Sequence, residues 1–107
     1  MAKFLNTWRM NPAAPMSPDP AEQAQATEML FAMLDNAVQR GQLLEFGFFA
    51  DGTSGYAIST GETADIFRST VGFYPWIISE VREMIPYETG KEIMRGVLKE
   101  QMEAMKR

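Results

Sequence analysis

Neither cysteine nor histidine occurs among the 107 residues of the sequence. Because there is no cysteine, disulfides, thiolate nucleophiles and zinc or iron–sulfur sites built on sulfur ligands are excluded. Because there is no histidine, serine–histidine catalysis, histidine-ligated haem and the common histidine metal sites are excluded too. We therefore expect no metal site, and any acid–base chemistry must use Asp, Glu, Tyr, Lys or a bound water.

The sequence also lacks clusters of basic residues and long apolar runs. Its 14 acidic and 10 basic residues give a net charge of -4, so we expect neither nucleic acid nor a membrane surface as a partner. No long apolar run follows Lys3, which argues against a signal peptide or a membrane-spanning helix and favours a cytoplasmic location. The length and the 46% hydrophobic content predict a single globular domain over residues 1–107.

The chain begins with a predicted strand and a loop. Residues 3–10 alternate in a way typical of a strand, and they divide into two faces: Phe4, Asn6, Trp8 and Met10 on one, and Leu5, Thr7 and Arg9 on the other. Three prolines within residues 11–18 exclude a helix or a strand there, so this segment is predicted to be a loop.

A long helix is predicted to follow the loop. Asp19 is typical of an N-cap, Pro20 of a first helical residue, and Glu22 stands where it would complete a capping box. The helix should end near Arg40, with Gly41 as a left-handed residue beyond its C-terminus. Its predicted buried stripe has helical spacing and consists of Ala24, Thr27, Leu30, Phe31, Leu34, Ala37 and Val38.

The middle of the chain predicts a hairpin and a short helix. Residues 43–50 form the first strand of the hairpin, with Leu44, Phe46 and Phe48 on one side, and turn residues 51–55 lead into a partner strand over residues 56–60. A helix then begins at Gly61 and Glu62. The side chains predicted to face inward from it are those of Ile66, Phe67, Thr70 and Val71.

The other predicted elements are arranged around residues 73–85. An aromatic cluster with a proline ends the second helix, because the residue before a proline avoids helical angles. The strand that follows has Trp76, Ile78, Glu80, Arg82 and Met84 on one face, and Ile77, Ser79, Val81, Glu83 and Ile85 on the other. After Pro86, Thr89 and Glu92 predict a second capping box, and a terminal helix carries an apolar stripe of Met94, Val97, Leu98, Met102 and Met105.

This order of elements, βαββαβ plus a terminal helix, predicts an α+β fold. We expect a ferredoxin-like, four-stranded antiparallel sheet with two helices on one face. The other face should carry aromatic side chains that need a cover, and a second copy of the chain is the expected cover, which gives a homodimeric α/β barrel. Residues 87–107 form a helical extension, whose apolar stripe we expect to pack on the partner chain or across the mouth of the barrel.

Three short segments carry a resemblance to a known family: Asp19-Pro20-Ala21-Glu22, Phe73-Tyr74-Pro75-Trp76, and Glu80-Val81 five residues beyond the proline. Over roughly residues 3–85, the chain resembles the muconolactone isomerase-like members of the dimeric α/β-barrel superfamily. The resemblance implies two ferredoxin-like sheets paired face to face, in a dimer or a larger ring. It also implies a cofactor-free isomerase that moves a proton on an unsaturated lactone, in a pocket between sheet and helices. Such relatives often use a histidine or other polar pocket residues, and histidine is absent here.

Two interpretations of Glu80 and Arg82, which share one face of a strand, remain open. They form an exposed ion pair or two solvated side chains, as charged residues on strands usually do. Alternatively, Glu80 lies in a partly apolar cavity beneath Trp76 and acts as a general base, while Arg9 or Arg82 stabilises an enolate oxygen. On this hypothesis Glu80 is catalytic, and the substrate is bound by Thr7, Arg9, Tyr56, Trp76 and Arg82.

Three functional classes therefore stay open. The chain is a cofactor-free isomerase, a non-catalytic binder of a small aromatic or lactone-like ligand, or a purely structural homo-oligomer whose own side chains fill the cavity.

Trp8 and Trp76 are predicted to pack in the core or the dimer interface. Asn6 and Tyr56 either line a pocket or bond across strands, because buried polar groups need partners. An Asn–Trp pair also suggests the cofactor-degrading or quinone-forming oxygenases of the superfamily, although the haem version needs an axial histidine.

Overall fold

The computed structural model describes residues 2–15 and 17–106 as a four-stranded sheet with three helices. In chain order the elements are β1 (Ala2–Met10), α1 (Pro20–Gln39), β2 (Leu43–Phe48), β3 (Ser54–Gly61), α2 (Thr63–Gly72), β4 (Ile77–Met84) and α3 (Tyr87–Met105). The strands lie in the order β2-β3-β1-β4, and every neighbouring pair is antiparallel. This confirms the predicted α+β fold and is consistent with a ferredoxin-like arrangement. Met1, Met16 and Arg107 belong to the predicted domain and loop but lie outside the described residues.

The strand register divides the sheet into two faces. α1 packs along the side of β2 that carries Phe46 and Phe48, and we call this side the helix-covered face. The register adds these neighbours to it: Phe4, Asn6 and Trp8 of β1, Ala57 of β3 and Val81 of β4. The opposite side, the open face, carries Leu5, Thr7, Arg9, Tyr56, Ile58, Ile78, Glu80 and Arg82. The prediction that the uncovered face carries enough aromatic side chains to need a cover was wrong, because most of the aromatic side chains of the sheet lie on the helix-covered face.

A β-bulge near the start of β2 overturns a second prediction. The register with β3 shifts between Leu43 and Glu45, so one extra residue is accommodated in β2. Leu43 thereby joins Phe46 on the helix-covered face and is 7% exposed, whereas Leu44 is 50% exposed. The prediction that Leu44 shares one side of the strand with Phe46 and Phe48 was wrong, because an inserted residue reverses the alternation of every side chain before it.

Both ends of α1 follow local sequence rules, with one exception. The Asp19 carboxylate caps the helix by accepting a hydrogen bond of 3.0 Å from the backbone N–H of Ala21. Gly41 follows the helix with φ of 75°, in the left-handed region that favours glycine. The capping box is not formed as predicted. The Glu22 carboxylate accepts a hydrogen bond from the Ser17 hydroxyl, whose oxygen in turn accepts from the backbone N–H of Asp19 at 3.2 Å.

Asn11 ties the end of β1 to the aromatic segment before β4. Its backbone N–H donates to the carbonyl of Trp76, and its side-chain Nδ2 donates to the carbonyl of Pro75, both at 2.8 Å. Its Oδ1 accepts from the backbone N–H of Ala13 at 3.0 Å. These bonds fix the start of β4 beside the end of β1, and so they hold Trp76 at one end of the sheet.

α3 begins at Tyr87, directly after Pro86, and extends away from the sheet. The predicted capping box of Thr89 and Glu92 was wrong, because the N-cap is Pro86, three residues before Thr89, and no side chain caps the helix. α3 has no substantial packing contact with the sheet or with the other two helices. The chain measures 70 × 30 × 26 Å, and its radius of gyration is 19.1 Å, against about 13 Å for a compact chain of this length.

Little of the single chain is buried. Among the described residues, the buried hydrophobic side chains are those of Phe4, Leu43 and Ala57. The apolar stripes of α1 and α2, which were predicted to be buried, are only partly buried in the single chain. Their exposed members are Ala24, Phe31, Val38, Phe67 and Val71. The accessible surface is 8536 Å², which is about 2,500 Å² more than a compact monomer of this mass exposes.

Candidate functional site

Three of the predicted site residues form a row across the open face. Thr7 of β1 lies directly between Tyr56 of β3 and Glu80 of β4 in the strand register. Side chains that face each other across neighbouring strands have Cβ atoms about 5 Å apart. The fold therefore brings together a phenol, a hydroxyl and a carboxylate from positions 56, 7 and 80 of the sequence.

Glu80 and Arg82 form an ion pair that water surrounds. Arg82 Nη2 lies 3.7 Å from Glu80 Oε2, and the two side chains are 81% and 74% exposed in the single chain. Such an exposed pair stabilises a protein by less than about 1 kcal/mol. Both side chains lie on the open face, so Glu80 does not line a space between sheet and helices, where the resemblance implies a pocket. It would be enclosed only if a second sheet covered the open face.

Arg9 and Trp76, two more of the predicted site residues, line a groove of about 820 Å³ at the end of the sheet. Its other walls are the loop after β1, the first turns of α1 and the turn between β2 and β3. Asp51 belongs to that turn, where its carboxylate accepts hydrogen bonds from the Thr53 N–H and the Ser54 hydroxyl. These bonds stabilise the carboxylate and lower the pKa of Asp51.

Tyr56 has an acidic neighbour of its own. Hydrogen bonding to the Glu45 carboxylate, and to a smaller extent desolvation, raises the pKa of the Tyr56 phenol above its ordinary value of 10.0. The phenol is therefore neutral at physiological pH and can donate a hydrogen bond. Gly47, directly opposite on β2, leaves room for the ring, because a Cβ atom there would lie 2.8 Å from Tyr56 Cζ.

An aromatic cluster occupies the helix-covered face. The rings of Trp8 and Phe46 stack with their centroids 5.5 Å apart and their planes 11° apart. Phe48 stands edge-on to both, at 5.8 Å from Trp8 and 5.4 Å from Phe46. Such stacked and edge-on contacts stabilise a fold beyond the area that they bury. Gly55 is required beneath the cluster, because a Cβ atom there would lie 2.5 Å from Trp8 Cζ2.

Two polar atoms in this aromatic environment lack hydrogen-bond partners. Asn6 Oδ1 and Trp8 Nε1 are buried, and neither has a partner within the described residues. The neighbours of Asn6 across β3 and β4 are Ala57 and Val81, whose side chains cannot donate a hydrogen bond. Each unpaired buried group costs about 1–3 kcal/mol. Asn6 is therefore not the cross-strand partner that one interpretation of the sequence offered, and the described residues give its buried oxygen no donor.

The sequence drew attention to Asn6 but not to Trp8 as a polar group. Trp8 packs against aromatic rings, in line with the predicted packing role. The sequence analysis overlooked its indole N–H, which needs an acceptor wherever the ring is buried. The sequence did contain one hint, because Asn6 lies between Phe4 and Trp8 on the same strand face. A polar residue at such a position indicates that other polar groups on this face need partners too.

A second feature that the sequence did not predict is an open groove between α1 and β2, of about 640 Å³, which we call the α1–β2 groove. Its apolar lining includes Phe31, Leu34 and Val38 of α1 and Leu44 and Phe48 of β2. Its charged lining residues are all acidic, namely Glu28, Asp35 and Glu45. The groove depends on the bulge in β2 and on how α1 packs beside that strand. Neither feature follows from the local periodicity of the sequence.

No cluster of three or more potential metal ligands occurs in the part of the chain that the structure describes. Nor does any helix within residues 2–15 and 17–106 combine the length and apolar character needed to cross a membrane. No protein-family model matches the chain, and no curated protein matches it at a significant level.

Proposed function

We propose that the protein is a homo-oligomer that binds a small planar molecule on the helix-covered face, with Asn6 and Trp8 as the polar anchors. The observation that carries the proposal is the pair of buried atoms without partners, Asn6 Oδ1 and Trp8 Nε1, beside a cluster of aromatic rings. An acceptor and a donor that lie two residues apart on one strand face can hold a ligand with the complementary pair of groups.

The chemistry of these anchors describes the ligand. It carries a hydrogen-bond donor for Asn6 Oδ1, an acceptor for Trp8 Nε1, and a flat ring that can pack against Phe48, whose side chain is 60% exposed. Hydroxylated aromatic acids and unsaturated lactones with a hydroxyl group have this combination. No metal or organic cofactor is needed for such binding.

Trp8 and Trp76 are the two tryptophans of the chain, which allows a direct test. In the variant Trp76→Phe, Trp8 is the sole tryptophan, and its fluorescence should change in a saturable way on titration with hydroxylated aromatic acids and lactones. Asn6→Leu in the same background should weaken binding by about tenfold or more, because a buried hydrogen bond is lost. The matched variant Trp8→Phe should neither bind tightly nor report binding through Trp76.

Two results would count against the binding proposal. One is that no member of such a panel changes the fluorescence of Trp8 or the thermal stability of the protein. The other is binding that Asn6→Leu leaves unaltered, since the polar anchor would then have no part in recognition.

We propose further that two copies pair through their open faces as an α/β barrel, of the muconolactone isomerase-like type that the sequence resembles. The excess accessible surface of about 2,500 Å² supports association, because obligate dimers bury 2,000 Å² or more in total. Leu5, Ile58 and Ile78 supply apolar contacts on the open face.

A second candidate function, cofactor-free isomerisation, is favoured by the row of Tyr56, Thr7 and Glu80. Inside a barrel, Glu80 would take a proton from a carbon next to a carbonyl and return it to another carbon of the same substrate. Arg82 or Arg9 would stabilise the enolate oxygen meanwhile, with Trp76 against the ring. Glu80→Gln should abolish turnover of an unsaturated lactone while the far-UV circular dichroism stays unchanged. Undiminished turnover would remove Glu80 from the mechanism, whereas no turnover by the native protein would leave the binder as the function.

A further inference from the structure

We propose that α3 of one copy of the chain docks in the α1–β2 groove of a second copy. The inference goes beyond the proposed function, and it shares one residue with it, because Phe48 lines the groove and is also the residue against which the ligand ring would pack. It assigns a partner to two surfaces that the single chain leaves uncovered.

The first uncovered surface is the apolar stripe of α3. Met94, Leu98 and Met102 recur every four residues, so they form one row along the helix, and they are 66%, 55% and 61% exposed. Most of the stability of a helix in a protein comes from the packing of its apolar face, and α3, with 19 residues, has no such packing in the single chain. Cover for the stripe would therefore stabilise the helix.

The second uncovered surface is the groove itself. Phe31, Val38, Leu44 and Phe48 line it and are between 40% and 60% exposed. α1, which forms one wall, has 20 residues and is about 30 Å long, and α3, with 19 residues, is about 28 Å long. A helix laid along α1 would cover the groove over its full length.

Charge complementarity identifies α3 as the occupant. The acidic side chains that α1 contributes to the groove are those of Glu28 and Asp35, and no cation lines it. Glu45 also borders the groove, but its carboxylate lies on the open face beside Tyr56. On α3, the cations Lys91, Arg95 and Lys99 recur every four residues, in the row directly beside Met94, Leu98 and Met102. An apolar stripe with a basic edge thus meets an apolar groove with an acidic edge along α1.

The topology of the sheet excludes the α1–β2 groove of the same chain as the site for α3, so the groove must belong to a second copy. α3 follows β4, whereas the groove lies at β2, on the opposite edge of the sheet and about 14 Å away across three strand spacings. Ile85 and Pro86, the two residues between β4 and α3, span at most about 7 Å. α3 therefore cannot lie along its own α1–β2 groove, and a second copy has no such restriction. A twofold axis would make the exchange mutual.

The absence of cysteine makes a crosslinking test clean, since every introduced thiol is unique. A chain with Phe31→Cys is mixed with a chain with Leu98→Cys, and the mixture is treated with a short bis-maleimide. Both positions are exposed in the single chain, at 40% and 55%. The expected product is a covalent pair that contains one chain of each kind. Glu103→Cys, on the other side of α3, is the matched control and should link far less to Phe31→Cys.

Three outcomes would overturn the docking. Equal linkage from Glu103→Cys would mean random collision, and failure of both pairs to link would mean that α3 does not reach the groove. Linkage within one chain that carries both Phe31→Cys and Leu98→Cys would mean that α3 folds back on its own subunit.

A charge exchange gives an independent readout. Arg95→Glu with Lys99→Glu should weaken self-association by about tenfold, and so should Glu28→Lys with Asp35→Lys. The combination of all four should restore association, because each new charge then faces its opposite. Additive weakening in the combined variant would contradict the docking. A dimer that persists unchanged in every variant would show that the open sheet faces alone hold it, which leaves the barrel standing and removes the α3 exchange.

Discussion

The amide oxygen of Asn6 is buried on β1 between Ala57 and Val81, and the single chain offers it no hydrogen bond. A polar group in such a position lowers the stability of the free protein. Asn11, only five positions along the chain, behaves differently, because both ends of its amide are bonded to the backbone. The two asparagines therefore allow a binding role to be separated from a structural one.

Asn6→Leu should leave the free energy of unfolding unchanged or raise it by about 1 kcal/mol, because an unpaired buried polar group is replaced by an apolar one of similar size. Asn11→Leu, the matched control, should lower it by about 1 kcal/mol, since two hydrogen bonds are lost. Urea denaturation at a fixed protein concentration measures both. A marked loss of stability in Asn6→Leu would mean that its amide has a structural partner in the assembly.

Tyr56 and Glu45 form a pair whose titration can be followed directly. Glu45→Gln should lower the pKa of Tyr56 towards 10.0, because the carboxylate that accepts from the phenol is gone. The measurement is phenolate absorbance against pH, with Tyr56→Phe identifying which of the three tyrosines titrates. Glu83→Gln, on the helix-covered face, is the control and should leave the curve unchanged.

The sign of the linked stability change follows from the raised pKa of Tyr56. The pair stabilises the folded protein fully below the ordinary phenol pKa of 10.0, and this contribution is lost as the pH rises through the higher pKa of the folded state. Stability should therefore fall above about pH 10 in the native chain. The fall should be smaller in Glu45→Gln.

At the scale of elements, α1 depends on the side chains around its first turn. Asp19 accepts from the backbone N–H of Ala21, and Ser17 links Asp19 to Glu22. The four backbone N–H groups at the start of a helix have no partners within the helix, so this local arrangement satisfies donors that packing does not. It matters here because α1 buries no side chain fully in the single chain.

Asp19→Ala should lower the free energy of unfolding by about 1 kcal/mol, because the N-cap hydrogen bond is lost. Asp19→Asn keeps an oxygen acceptor at the same place and should recover most of the loss. Chemical denaturation of the three proteins side by side is the measurement. Equal losses in Asp19→Ala and Asp19→Asn would assign the effect to charge rather than to the cap.

At the scale of the whole molecule, the single chain is far from a compact shape. Its radius of gyration exceeds that of a compact chain of the same length by about half. Within residues 2–15 and 17–106, three side chains form the buried apolar core. A domain of this size needs most of its apolar surface buried to offset the entropy that folding costs. Association with other copies is the physical solution that the exposed helices and the open face both suggest.

Two measurements follow for the full chain. Its melting temperature should rise with protein concentration, because the proposed oligomer would be stabilised by mass action. Deletion of residues 87–107 should shift the protein on a sizing column towards monomer or aggregate, because the apolar stripe of α3 no longer covers its partner. A melting temperature independent of concentration, or an unchanged dimer peak after the deletion, would contradict the role given to α3.

The sequence by itself determined the order and type of every element, the N-cap at Asp19, the left-handed Gly41 and the two faces of β4. These features depend on interactions within a few residues or on simple alternation, which the sequence contains in full. Only the tertiary structure decided which face the helices cover, which leucine of β2 is buried, and that Glu80 lies apart from Asn6 and Trp8. Alternation separates two faces but does not say which one meets a helix, because that depends on crossover handedness and on an inserted bulge residue, which are set by packing between distant segments.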